Sequence, residues 1–148
     1  MNNQTKGLIQ DQLYVGALLV GTIASGALSY FLSPLLSSEQ ITFHWQQLIW
    51  LILLAPLLEE LLFRGGLQRW LYQMGSLKRS LMGFSWANWV TSFLFSVIHL
   101  LSQPSWVAVG VLVPSLIFGL FRDRYRSVIP GMGLHIGFNF GYFMGLII

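Results

Sequence analysis

The chain contains no cysteine, which excludes a disulfide framework, a thiolate metal site and a cysteine nucleophile together. It is also poor in charge: 9% of its 148 residues are Asp, Glu, Lys or Arg, where a soluble domain carries roughly 25%. Acidic residues are the scarcest, five against eight Lys and Arg. The basic excess forms no basic amphipathic run, so it reads as membrane topology and not as a surface for nucleic acid. Internal repeats, low-complexity tracts and any sign of a second domain are absent too.

What fills the chain is apolar. Hydrophobic residues make up 55% of it and the mean hydropathy is +0.66, the composition of an integral membrane protein with one domain over 1–148. A membrane crossing needs ~20 residues of helix, and apolar segments fall at about 13–36, 45–69, 84–101, 106–121 and 130–148. The expected fold is therefore all-α, a polytopic bundle of about five transmembrane helices. Polar links at Ser37 to His44, Met74 to Arg79, Ser102 to Ser105 and Arg122 to Arg126 separate the segments, with Arg64, Gln68 and Arg69 expected to lead the second one out into water. For the first segment a cleaved signal peptide is the competing reading, because Ala24-Ser25-Gly26 resembles a small-residue cleavage site behind one lysine.

Alternate links must lie on opposite sides of such a bundle. Lys6, Arg64, Arg69, Lys78, Arg79, Arg122, Arg124 and Arg126 all fall on the side of the amino terminus or next to it. The expected orientation puts that side in the cytoplasm and the carboxyl terminus outside, in a multi-pass protein of the cell (inner) membrane with lipid as its surroundings. Gly16, Gly21 and Gly26 in the first segment and Gly133, Gly137, Gly141 and Gly145 in the last recur at helical spacing, a pattern that lets helix backbones approach closely in lipid.

Within the second segment, Pro56 to Gly65 reads Pro-Leu-Leu-Glu-Glu-Leu-Leu-Phe-Arg-Gly. Two carboxylates and an arginine in an apolar helix are expensive, and by default they mark a functional site. Glu59 and Glu60 are adjacent, so on a helix their side chains diverge by about 100°. Glu60 and Arg64 are four apart, in the order that favours an ion pair. That pairing leaves Glu59 for chemistry, although both glutamates acting only as buried polar locks between helices is the plainer alternative. His99 stands four residues after Phe95 in an apolar helix, where a lone histidine often serves packing alone. His135 and Asn139 also stand four apart and share a face, offering hydrogen-bond donors, while Asn139 could equally clamp two helices. His44 is most simply an interfacial residue.

Together, Glu59, His99, His135 and Asn139 come from three segments that a bundle can bring around one polar, hydrated cavity. A glutamate beside a histidine can deprotonate water, and a second histidine with an amide can stabilise an oxyanion. That is equipment for hydrolysing a peptide bond.

The motifs Glu-Glu-x-x-x-Arg (Glu59, Glu60, Arg64), Phe-x-x-x-His (Phe95, His99) and His-x-x-x-Asn (His135, Asn139), in this order on successive helices, resemble the CAAX protease and bacteriocin-processing family of glutamic intramembrane proteases. The chain looks closest to short bacterial-type members. The resemblance implies that Glu59 with His99 activates water, that His135 and Asn139 form the oxyanion hole, and that Glu60 and Arg64 support the site. It implies no metal and no other cofactor, and a membrane-associated protein or peptide as substrate. Two other readings remain: a zinc metalloprotease with Glu59, His99 and His135 as ligands, although no His-Glu-x-x-His spacing is present, and a non-enzymatic immunity, scaffold or proton-relay protein.

Overall fold

The structure is a computed structural model that describes residues 3–36, 44–102 and 105–148. Of the links expected between segments, Ser37 to His44 lies outside the described residues except for His44, and so do residues 103–104 of the turn expected at Ser102 to Ser105. Helix dominates. α1 (Asn3–Gln10) and α2 (Gln12–Leu36) are followed by a helical ribbon over 45–73, made of α3 (Trp45–Ile49), a wide turn (Trp50–Leu54), α4 (Ala55–Glu60), a second wide turn (Leu61–Gln68) and α5 (Arg69–Gln73). Then come α6 (Trp86–His99), α7 (Ser105–Gly110), α8 (Leu112–Tyr125) and α9 (Ile129–Ile147). In the wide turns the backbone bonds i→i+5, the π-helical pattern, which is often found at functional sites.

One element departs from the all-helical expectation. Ser80–Leu81 and Phe84–Ser85 pair as a small antiparallel hairpin, Ser80 opposite Ser85. Its two-residue loop has positive φ at both positions, 55° at Met82 and 85° at Gly83, as a hairpin of this length requires. The fourth expected segment is also not one helix. It breaks at Val111 between α7 and α8, and α8 then continues through the expected basic link to Tyr125, where Arg126 ends it with φ 53° in the left-handed region.

The chain forms two compact units, Met1–Leu57 with Gly133–Ile148, and Leu58–Met132. In the first, α2 and α9 meet through small residues. A Cβ on Gly141 would collide with the Thr22 carbonyl, one on Gly145 with the Gly26 carbonyl, and one on Gly21 with the Phe138 ring. Ser25 Oγ donates to the Phe138 carbonyl at 2.8 Å. Of the glycines expected to pack in this way, Gly16 takes no part, since a Cβ there meets nothing within 4 Å. α2 also exposes Leu19, Val20, Ile23, Leu28 and Phe31. Among the described residues it is the one helix that is by itself long and apolar enough to cross a membrane, with mean hydropathy 1.8 over Gln12–Pro34.

The second unit packs the ribbon from Leu58 onward against α6 and α8. Its centre is unusually polar. Phe95, Phe118 and Phe121 are buried there beside Glu60, Arg64, Gln68, Asn88, Thr91 and Ser115, all of the latter six wholly buried. This corrects the expectation that Arg64 and Gln68 lead the helix into water: only Arg69 of that trio is exposed. The reason lies in the partners supplied by α8. Gln68 Nε2 donates to the Gly119 carbonyl at 3.0 Å, and a polar group that finds such a bond need not stay hydrated. Residues four apart are neighbours on a helix surface, so Glu60, Arg64 and Gln68 are buried together.

α6 starts cleanly because Ser85 caps it, its Oγ accepting from the Asn88 amide at 3.0 Å, the usual role of serine at that position. Asn88 then reaches across to α8, donating from Nδ2 to the Leu116 carbonyl at 2.9 Å while its Oδ1 accepts from Ser92 Oγ at 3.0 Å. The approach is close enough that a Cβ on Gly119 would overlap the Asn88 amide. Ser96 Oγ donates to the Ala108 carbonyl and so holds α7 to the far end of α6.

Candidate active site

Glu60 and Arg64 are held inside the second unit with their side chains wholly buried. Arg64 Nε lies 3.5 Å from Glu60 Oε2. A Cβ on Gly131 would come within 2.5 Å of the same carboxylate oxygen, so glycine is needed there. The carboxylate thus sits against the first turn of α9, where the aligned peptide dipoles favour negative charge. Arg64 spends a second part of its guanidinium on α8: Nη2 donates to the Ser115 carbonyl at 2.8 Å and to Ser115 Oγ at 2.6 Å. Its Cζ lies over the Phe95 ring, 5.6 Å from the centroid, which is within the range of a cation–π attraction.

Phe95 passes that contact on to His99. Their ring centroids are 4.4 Å apart, and the edge of Phe63 meets Phe95 at 4.9 Å. His99 Nδ1 lies 2.8 Å from the Phe95 carbonyl. A carbonyl can only accept, so Nδ1 carries the hydrogen and, in the neutral ring, Nε2 keeps the lone pair. That is the tautomer a general base needs. Glu59, at the end of α4, is partly exposed where its neighbour Glu60 is fully buried, the divergence their adjacency dictates.

His135 and Asn139 belong to the first unit, one turn apart on α9. His135 is buried. Asn139 has a partner with a clear local cause. In the first wide turn Ala55 N–H bonds to the Trp50 carbonyl, five residues back. The next bond in that register would run from residue 56 to residue 51, but Pro56 has no N–H to give. The Leu51 carbonyl is left open, and Asn139 Nδ2 donates to it at 2.9 Å. An amide nitrogen carries two hydrogens, so one remains for another acceptor.

Of the residues expected to form the site, Glu59, Glu60, Arg64 and His99 share one unit, and the last three are linked in series through Phe95. His135 and Asn139 share the other unit. Sequence reading missed Gln68, Asn88 and Ser115 as supports. Gln68 carried a usable signal, since it follows Arg64 by four residues as Arg64 follows Glu60; Ser115 carried none, because half of what it offers Arg64 is a backbone carbonyl. Among the described residues no group of three His, Asp or Glu side chains is gathered in a way that could hold a metal ion.

The helical fold thus buries a paired carboxylate and guanidinium and sets a half-buried imidazole against the same aromatic ring. Ionisable groups inside so apolar a chain mark a functional site. Comparison with protein families gives the narrower answer: residues 41–141 match the family described as Type II CAAX prenyl endopeptidase Rce1-like. The match covers more than half of the chain and includes Glu59, Glu60, Arg64, His99, His135 and Asn139. The chain belongs to this family of membrane peptidases. No curated protein and no solved structure matches it.

Proposed function

We propose that the protein is a glutamic-type intramembrane endopeptidase that cleaves a membrane-associated protein or peptide. The observation that carries this reading is the series Glu60, Arg64, Phe95, His99, in which two of the family's sequence motifs touch inside one unit. In the proposed reaction Glu59 and His99 Nε2 take a proton from water, and the hydroxide attacks the scissile carbonyl carbon. His135 and the second amide hydrogen of Asn139 stabilise the oxyanion. The C–N bond then breaks as the proton is returned to the leaving nitrogen. Glu60 and Arg64 stay paired throughout and hold the ribbon and α6 in place. The mechanism uses no resident metal.

The same reading proposes a multi-pass protein of the cell (inner) membrane, its amino terminus cytoplasmic and its carboxyl terminus outside. Lipid surrounds it and no nucleic acid is involved. The clustering of Lys and Arg toward one side of the expected segments supports this orientation.

The test is cleavage of a co-encoded or proteomically identified substrate by protein reconstituted in bilayers. Glu59→Gln and His99→Ala, each still folded by thermal melting, are expected to lose at least ~100-fold in turnover, the usual contribution of a general base. Turnover equal to wild type in both variants would overturn the proposal. Activity should persist in chelator, whereas stoichiometric metal with chelator-sensitive turnover would replace the water-activating glutamate by a metal-bound hydroxide.

A further inference from the structure

At one end of the second unit, three cations surround a single ring. Arg126 Cζ lies 4.5 Å, Arg122 Cζ 5.5 Å and Lys78 Nζ 5.9 Å from the centroid of Tyr72, and Arg126 Nη2 donates to the Tyr72 hydroxyl at 3.2 Å. Like charges held this close repel. Among the described residues, the carboxylate paired with this cluster is Asp123. Asp123 is moreover already committed, accepting from Arg122 Nη1 at 2.8 Å and from the capping Ser85 hydroxyl at 2.6 Å. Arg122 is thereby balanced, whereas Lys78 and Arg126, both exposed, have no ion pair among the described residues and are open to an outside anion.

The placement of Arg126 is costly in its own right. Its φ of 53° puts a long side chain in the left-handed region, a conformation of order 1 kcal/mol or more above the ordinary ones. The chain accepts that strain where it brings a guanidinium onto Tyr72. Trp70 and Trp86, both largely exposed, stand at the start of α5 and of α6 in the same unit. Exposed tryptophans and exposed cations are both enriched at the headgroup level of a bilayer. We propose that Tyr72, Lys78, Arg122 and Arg126 form a binding site for the phosphate of an anionic phospholipid headgroup. The guanidinium of Arg126 and the ammonium of Lys78 meet the phosphodiester oxygens, Arg122 adds field from behind, and Tyr72 holds the cations in register. Selectivity for an anionic over a zwitterionic lipid follows because a choline group would bring its own cation into the cluster.

The experiment is native mass spectrometry of the full chain released from micelles containing equal amounts of phosphatidylglycerol and phosphatidylcholine. Wild type should retain phosphatidylglycerol preferentially. Arg126→Gly is the informative variant, because it removes the guanidinium and gives the left-handed position the residue that suits it. It should therefore melt no lower than wild type and yet retain about fivefold less phosphatidylglycerol, the effect expected of one basic residue near a membrane surface. Lys78→Gln, an exposed substitution, should lose a similar amount. Arg69→Gln, an equal change of charge on an exposed residue that is not among the cations over the Tyr72 ring, should change retention little. Equal retention of the two lipids by wild type would overturn the site, as would undiminished binding in Arg126→Gly. Loss in Arg69→Gln as large as in Arg126→Gly would reduce it to diffuse attraction. Displacement of the lipid by millimolar inorganic phosphate would assign the cluster to a free anion instead.

Discussion

Arg64 Nη2 donates to both the carbonyl and the hydroxyl of Ser115, at 2.8 and 2.6 Å, so a residue from one sequence motif is anchored to a helix that carries no motif at all. With Glu60 on its other side, the guanidinium ties the ribbon to α8. Removing it would leave a wholly buried carboxylate without its nearest cation.

Arg64→Ala is therefore expected to cost about 3–5 kcal/mol, the range for stranding one partner of a buried ion pair. Ser115→Ala should cost only about 1 kcal/mol, since the backbone carbonyl still accepts. Arg64→Lys should behave more like alanine than like wild type, because an ammonium cannot reach Glu60 and Ser115 at once as a planar fork does. Denaturation of the three variants in the same detergent checks the order; a Lys variant as stable as wild type would show that charge alone suffices.

The contact between α2 and α9 yields a matched pair. Gly141→Ala places a methyl on the Thr22 carbonyl and Gly145→Ala one on the Gly26 carbonyl, each an overpacking expected to cost about 1–3 kcal/mol. Gly16→Ala, in the same helix as Thr22 and Gly26, meets nothing within 4 Å and should be neutral or stabilising by a few tenths to about 1 kcal/mol. The comparison is of melting midpoints. Equal losses at Gly16 and Gly141 would mean that the interhelical contact does not set the cost, since helix propensity favours alanine at both positions.

These contrasts show which parts of the molecule could be read from its residues. Helix positions were legible because long apolar runs punctuated by polar links leave few alternatives, and Gly21, Gly26, Gly137, Gly141 and Gly145 announced a close approach by their spacing. Gly16 has the same spacing and meets nothing within 4 Å, although Tyr14 and Leu18 on either side of it reach Gly133 and Gly137. A step of five residues turns a helix about 140° past a full circle, which carries Gly16 off the facing side. The burial of Arg64 and Gln68 was illegible for a different reason. A charge at the end of an apolar run is read as its exit into water, and part of what offsets the burial, the carbonyls of Ser115 and Gly119, is a group that every residue type possesses. The wide turns also leave no compositional trace, apart from the one consequence that Pro56 has for Leu51.

A surface prediction follows from the hairpin. Met82 is 83% exposed with φ 55°, a conformation that asparagine or glycine tolerates far better than an unbranched apolar side chain. Met82→Asn should therefore raise stability by about 0.5–1 kcal/mol, in the range seen when a left-handed position receives a suitable residue. Thermal melting with unchanged lipid retention is the readout, and a loss of stability would mean that Met82 contributes a contact that outweighs the backbone strain.

The pairing of Asn139 with Leu51 can be tested through the residue that makes it necessary. In wild type the Leu51 carbonyl lacks an intrahelical donor because Pro56 has no N–H, so Asn139→Ala leaves that acceptor open and should cost about 1–2 kcal/mol. In Pro56→Ala the ribbon regains an N–H five residues after Leu51, and the carbonyl can be satisfied within the helix. Asn139→Ala should then cost less than half as much, giving a coupling energy of about 0.5–1 kcal/mol in the double-mutant cycle. Activity separates the structural role from the proposed oxyanion role. If Asn139 only clamps the helix, Pro56→Ala/Asn139→Ala recovers turnover together with stability; if its second amide hydrogen also serves the oxyanion, turnover stays roughly 100-fold or more below that of Pro56→Ala alone, however stable the protein has become.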